Sequence, residues 1–296
     1  MDNAPDYESR SIKNLKDMVE QSCRLFGSKN AFILKDEEGK HRGIKYSEFK
    51  NDIDSLGTAL LSLGLKNKNV ALIGENRYEW AVSYLSVING TGVIVPMDKE
   101  LPLSETENLL NRSEVSAVIF SSKISGNIKK LMNNAKSIKY YINMDLDEDS
   151  DEFLSYRKLI DMGSKRIASG DMSFVQAEIN PEAMNILLFT SGTTDLAKGV
   201  MLSHRNICFD ITSVLSTVKV TSEDSCVSIL PMHHTYECSL GFLAMIYSGG
   251  TISFNEGLKH IVKNFNEYKP TLLFTVPLLL ENIHRKIWAQ ASRSKL

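Results

Sequence analysis

NILLFTSGTTDLAKGVMLSHRN, residues 185–206, decides how the chain is read. Residues 185–189 are mostly apolar and suit a buried strand. Thr190, Ser191, Gly192, Thr193 and Thr194 follow, all small and mostly hydroxylic. Lys198 and Gly199 come next, then the apolar Val200, Met201 and Leu202, and Ser203 is placed to cap a helix. Glycine lets a backbone approach a ligand and aim successive N–H groups at it. Hydroxyls add donors, and one can ligate Mg²⁺. A lysine supplies a mobile point charge for a phosphate. The chemistry points to a polyphosphate. On composition alone, a flexible Gly/Ser/Thr loop accounts for the same letters. Against that, apolar runs anchor both ends, and Lys198 is the single basic residue before Arg205. Lys198 precedes Gly199, so the order is not that of a Walker loop, and no dinucleotide fingerprint is present.

On both sides of this stretch, strand-like and helix-like patterns alternate. Upstream, strands are expected at 70–73, 93–96, 115–120 and 138–142, with helices at 77–88, 104–111 and 124–134 between them. Ser104 and Glu107 have the spacing of a capping box. Further upstream lie helices at 12–26 and 46–63 and a hairpin turning at EEGK, 37–40. Downstream, a helix from about 206, strands at 227–230, 251–254 and 271–275, helices at 237–247 and 258–268, and a helix from Pro277 repeat the pattern. The acidic run DLDEDSDE, 145–152, reads as a solvated seam followed by a helix at 153–168. The reading is an α/β fold with mainly parallel sheets in two successive layers, 1–150 and 151–296. The loop after 185–189 should then sit at the exposed end of its strand.

Composition excludes several classes. The chain has 296 residues, 43% apolar and 24% charged, with net charge −2, which is ordinary for a globular protein and gives no footprint for nucleic acid. Cys23, Cys208, Cys226 and Cys238 show no CxxC and no disulfide framework, which fits a reducing, cytoplasmic setting. No secretory leader pattern opens the sequence, and no apolar run approaches the ~18 residues of a membrane span.

TSGTTDLAKGVMLSHRNI, 190–207, resembles the phosphate-loop signature TSGTTG-x-PKGV of the AMP-forming adenylating enzymes, which include acyl-CoA synthetases, luciferases and peptide-synthetase adenylation domains. Asp195 stands where that signature has glycine, and Ala197 where it usually has proline. LPMHHTYE, 230–237, is similar to the LPL-x-H-x-x-E segment of long-chain fatty acyl-CoA ligases, and GENRYEWAVSYLSVINGTGVIVPMD, 74–98, to their early core. The resemblance covers almost the whole chain. It implies the large N-terminal domain of such an enzyme, incomplete at its C-terminal side. It implies ATP, Mg²⁺ and coenzyme A as cofactors, and a fatty acid or other carboxylate as substrate. Thr190, Ser191, Gly192, Thr193, Thr194 and Lys198 would hold nucleotide phosphates, with Thr194 near the metal. His234 would stand near the acyl carboxylate and share the catalytic role with Lys198.

Bland readings stand beside these. A hydrogen-bonded structural histidine at a strand end fits His234 on the residues alone. Cys226, His233, His234 and Cys238 fit no ordinary zinc spacing, and neighbouring histidines on an extended chain point apart. Leu240, Phe242, Leu243, Met245 and Ile246 read as a core helix, some of which would border an acyl pocket in the family. The family's metal-binding glutamate, ribose-binding aspartate and adenylation lysine segments are not found in these residues. The expectation is an enzyme portion, peripheral to a membrane at most, that does not turn over alone. The alternative is a non-catalytic relic or binding module completed by a partner chain.

Overall fold

The computed structural model describes residues 7–36, 38–135, 137–190 and 197–293. The chain opens with α1 (Leu15–Phe26), whose Asn14 side chain accepts from the Asp17 N–H at 2.9 Å and caps it. A hairpin follows, β1 (Asn30–Lys35) and β2 (His41–Lys45), and then α2 (Tyr46–Ser62). The expected alternation appears next: β3 (Lys68–Ile73), α3 (Tyr78–Ser86), β4 (Gly92–Met97), α4 (Leu103–Arg112), β5 (Ala117–Phe120), α5 (Ser125–Leu131) and β6 (Tyr140–Asn143). Strand β7 (Leu154–Ser155) leads into α6 (Tyr156–Ala168). The decisive stretch forms β8 (Met184–Thr190), β9 (Lys198–Ser203) and α7 (His204–Thr217). The remainder is β10 (Ser225–Ser228), a π-wound segment Glu237–Ala244 running into α8 (Met245–Ser248), β11 (Thr251–Phe254), α9 (Ile261–Tyr268) and α10 (Pro277–Arg293).

Two sheets result, ordered β7-β6-β5-β3-β4-β8-β9 and β10-β11-β1-β2. Both are parallel except for the terminal hairpins β8–β9 and β1–β2. The strand sequences explain the larger sheet's burial. Val70 and Leu72 pack into one apolar cluster, while Ala71 and Ile73 pack into the other. Ala117 and Ile119 divide from Val118 and Phe120 in the same way. Successive side chains point to opposite faces, so a strand apolar at every position must be covered on both. An aromatic cluster packs the smaller sheet against its helices: Phe32 of β1 lies edge-on to Phe49 of α2 with centroids 4.9 Å apart, and Phe49 meets Phe242 at 6.5 Å.

Several expectations are corrected. Each sheet draws strands from both sides of the acidic run, so a boundary near residue 150 does not separate them: β8 extends the first sheet at Ile94↔Ile186, and β1 pairs with β11. The Ser104–Glu107 capping box does not form, because Pro102 occupies the cap position and Ser104 is already helical. The capping box observed is at Ser203 and Asn206. Residues 271–275 make one parallel bridge, Cys226↔Leu272, and no strand.

Candidate functional site

Strands β4 and β8 run side by side and parallel, so their C-terminal ends open on the same side, where open α/β sheets place ligands. A cleft of about 220 Å³ lies there. Pro96, Asp98, Phe189, Thr190, Ala197 and His234 are among its lining residues. Thr190 and Lys198 face each other across the β8–β9 ladder, and both are exposed. The hairpin therefore pins the two ends of the 191–196 connection at the cleft mouth. Ser191, Gly192, Thr193, Thr194 and Asp195 lie outside the described residues. Lys198 stands at the hairpin end and does not line the cleft wall.

The histidine segment leaves β10 and turns sharply. The His234 N–H donates to the Pro231 carbonyl at 3.0 Å, and the Cys238 N–H donates to the His234 carbonyl at 3.0 Å as the helix begins. The chain is thus not extended here, and the His233 and His234 rings do not point apart. Their centroids are 4.2 Å apart with planes tilted by 52°. Among the described residues no three His, Cys, Asp or Glu side chains gather as a metal site. His234 is exposed in the cleft, while His233 is mostly buried. The His233 Nε2 has no hydrogen-bond partner and lies 3.8 Å from Asp98 Oδ2. Burial pushes the His233 imidazole down to about 4; the adjacent His234 acts in the same direction and Asp98 against it. His233 is therefore neutral at physiological pH.

Comparison with known proteins fits this geometry. The sequence matches the AMP-binding enzyme family over residues 19–295. The chain belongs to that family. Among relatives of this AMP-binding enzyme family chain, fatty acyl-CoA synthetase A of Dictyostelium discoideum is 29% identical over 97% of the chain and 44% of its own length. Long-chain-fatty-acid–CoA ligase 5 of Rattus norvegicus is 30% identical over 85% of the chain and 39% of its own length. The chain thus spans less than half the length of these relatives. In fold it is similar to the adenylation domain of a carboxylate reductase from Mycobacterium chelonae, with TM-score 0.84 and 17% identity over 97% of this chain and 49% of that one. A long-chain-fatty-acid-CoA ligase from Archaeoglobus fulgidus gives TM-score 0.76 and 20% identity over 92% and 52%.

Around the cleft of this AMP-binding family member, sequence reasoning missed three polar residues. The Asn76 amide nitrogen donates to Ser228 Oγ at 2.9 Å and to the Leu230 carbonyl at 2.6 Å, and its oxygen accepts from the Met232 N–H at 2.9 Å. Ser228 Oγ donates to Glu237 Oε1 at 2.6 Å. Glu237 is 1% exposed, and burial raises its carboxyl to about 7, against the opposing bond from Ser228. Gly241 leaves room for that carboxylate, since a Cβ there would lie 2.6 Å from the Glu237 carboxyl carbon. The signal available in the sequence was the pair of quoted segments, which contain Asn76 and Glu237.

Behind His233 lies a small enclosed cavity whose lining includes Tyr84, Ile186, Leu188, Leu202, Ile207 and Met232. Its free space is about 10 Å³, roughly one water. From the following helix, Cys238 and Ser239 reach this cavity, whereas Phe242, Leu243, Met245 and Ile246 are buried in the core. A larger surface groove, about 850 Å³ between residues 147–149 and α6, is elsewhere. Its lining carries the ion pairs Arg157–Asp147 and Lys158–Glu148, and it touches none of the motif residues.

Proposed function

We propose that this chain carries the carboxylate- and phosphate-facing site of an AMP-forming acyl-CoA ligase. In that reaction a carboxylate oxygen attacks the α-phosphorus of ATP, pyrophosphate leaves, and the thiol of coenzyme A then displaces AMP from the acyl carbonyl. The supporting observation is that the Thr190–Lys198 hairpin end and His234 meet at one cleft beyond the parallel strands. Lys198 and the hydroxyl-rich connection meet the β- and γ-phosphates. His234 donates a hydrogen bond to the carboxylate and orients it. Such a barrier is mostly charge and positioning, so prearranged donors are the protein's main contribution. The substrate class is a fatty acid, on the strength of the relatives' names. Thr194, the residue expected near Mg²⁺, lies outside the described residues.

The free thiols of Cys23, Cys208, Cys226 and Cys238 suit a reducing compartment, and the working assignment is the cytoplasm. No described helix is long and apolar enough to cross a membrane. The proposal includes that these 296 residues bind substrates but need further segments for turnover. Calorimetry with MgATP and with dodecanoate tests it: both bind, Lys198→Ala weakens the first, and His234→Ala weakens the second. Pyrophosphate exchange stays at the level of the Lys198→Ala chain. Absence of binding overturns the reading of the site, and exchange above that control overturns the need for further segments.

A further inference from the structure

One polar network ties both ends of the histidine-bearing segment. Asn76 sits in the turn after β3, 152 residues from Ser228 in sequence, yet bonds to Ser228, Leu230 and Met232 at the start of the segment. Its amide orientation is fixed by its partners, because the Leu230 carbonyl can only accept and the Met232 N–H can only donate. Ser228 passes the contact on to Glu237 at the segment's end. His233 and His234 lie between these anchors. Ser228 is 3% exposed and Glu237 1%, so water cannot take over a lost partner there. Gly241 is the complementary feature, giving space to the carboxylate that closes the network.

We infer that Asn76, Ser228 and Glu237 are positioning residues that clamp the histidine segment and set where the His233–His234 pair stands in the cleft. The consequence for catalysis rests on the proposed function. The clamp itself is measured without nucleotide or acid, so the two fail separately.

The test is carbethoxylation of the 296-residue chain by diethyl pyrocarbonate, followed residue by residue by mass spectrometry. Exposed His260 reports the reagent, buried His204 reports global opening, and His233 reports the clamp. Asn76→Ala raises the His233 rate about tenfold, the effect of losing one to two hydrogen bonds, while His204 stays slow. Asn76→Asp keeps the acceptor and loses both donors, and behaves like the alanine variant. Glu237→Gln keeps an oxygen for Ser228 and retains the slow rate. Should Asn76→Ala fail to fold, Ser228→Ala cuts the link to Glu237 with little change in volume and raises the His233 rate. An unchanged His233 rate in the folded variants overturns the inference, and so does a joint rise of His233 and His204.

Discussion

Replacing Glu237 by glutamine should stabilise the protein above neutrality and do nothing in acid. The carboxyl is buried, bonded through one oxygen to Ser228, and raised from 4.5 to about 7, chiefly by desolvation. The folded state therefore holds its proton more tightly than the unfolded chain. That contribution is fully present below about 4.5 and is lost as pH rises through about 7. At ~1.4 kcal/mol per pH unit, the ionised carboxylate costs about 3 kcal/mol at pH 8. Glutamine has nearly the same shape, still accepts from Ser228 and carries no charge. Glu237→Gln should exceed the wild type by about 3 kcal/mol at pH 8, or on the order of 5 °C in Tm, and by less than about 1 kcal/mol at pH 5. His204 and His233, both lowered to about 4 by burial, act in the opposite direction, losing stability as pH falls from 6.5. They are present in both proteins and cancel in the difference. The assay is urea unfolding of both chains across pH 5–8. A difference that is constant with pH would refute the reasoning.

Two further outcomes follow from the same structure, and a third from the charge at position 195. His204 accepts from the Leu15 N–H at 3.1 Å through Nδ1 and donates through Nε2 to the Ile88 carbonyl at 3.0 Å, so His204→Ala strands both groups and costs about 2–4 kcal/mol; the acid loss between 6.5 and about 4 should shrink in that variant's urea titration. A Cβ on Gly163 would lie 1.8 Å from the Ser55 carbonyl oxygen, so Gly163→Ala must push α6 off α2, and a drop of about 1–3 kcal/mol in urea unfolding is expected. Asp195→Gly should tighten MgATP binding about 30-fold or more at low salt, since a carboxylate ~6 Å from a phosphate charge costs ~2–3 kcal/mol at an effective dielectric of ~20; equal affinities in calorimetry would exclude that charge penalty.

What the sequence revealed was what depends on neighbours in sequence. Residues 70–73 and 117–120 are apolar at every position, which marks covered parallel strands, and the EEGK turn marks the β1–β2 hairpin. The segments around Thr190–Lys198 and His234 stood out as motifs, and Thr190, Ala197 and His234 line one cleft. What stayed hidden depends on distant partners. Nothing in residues 30–35 announces pairing with residues 251–254, so the interleaving of the sheets was missed. Val200 to Leu202 gave no sign of running antiparallel to β8 rather than continuing a parallel order. Periodicity does not distinguish a π-wound turn from an α-helical one, so Glu237–Ala244 read as ordinary helix. Adjacent histidines looked divergent only while the segment was taken as extended; the bond from the His234 N–H to Pro231 turns it.

In the proposed reaction, nucleotide phosphates and an acyl carboxylate meet in the cleft between Thr190–Lys198 and His234. A non-hydrolysable acyl sulfamoyl adenosine joins an acyl group and an adenosine in one molecule, so its binding by calorimetry tests the claim directly. Saturable binding is expected, falling about tenfold or more in His234→Ala, a loss of ~1.4 kcal/mol or greater. Lys263→Ala, in the separate groove beside Glu256, should leave the affinity unchanged. No binding by the wild-type chain, or binding that is indifferent to His234→Ala, would show that phosphates and carboxylate do not meet beside His234.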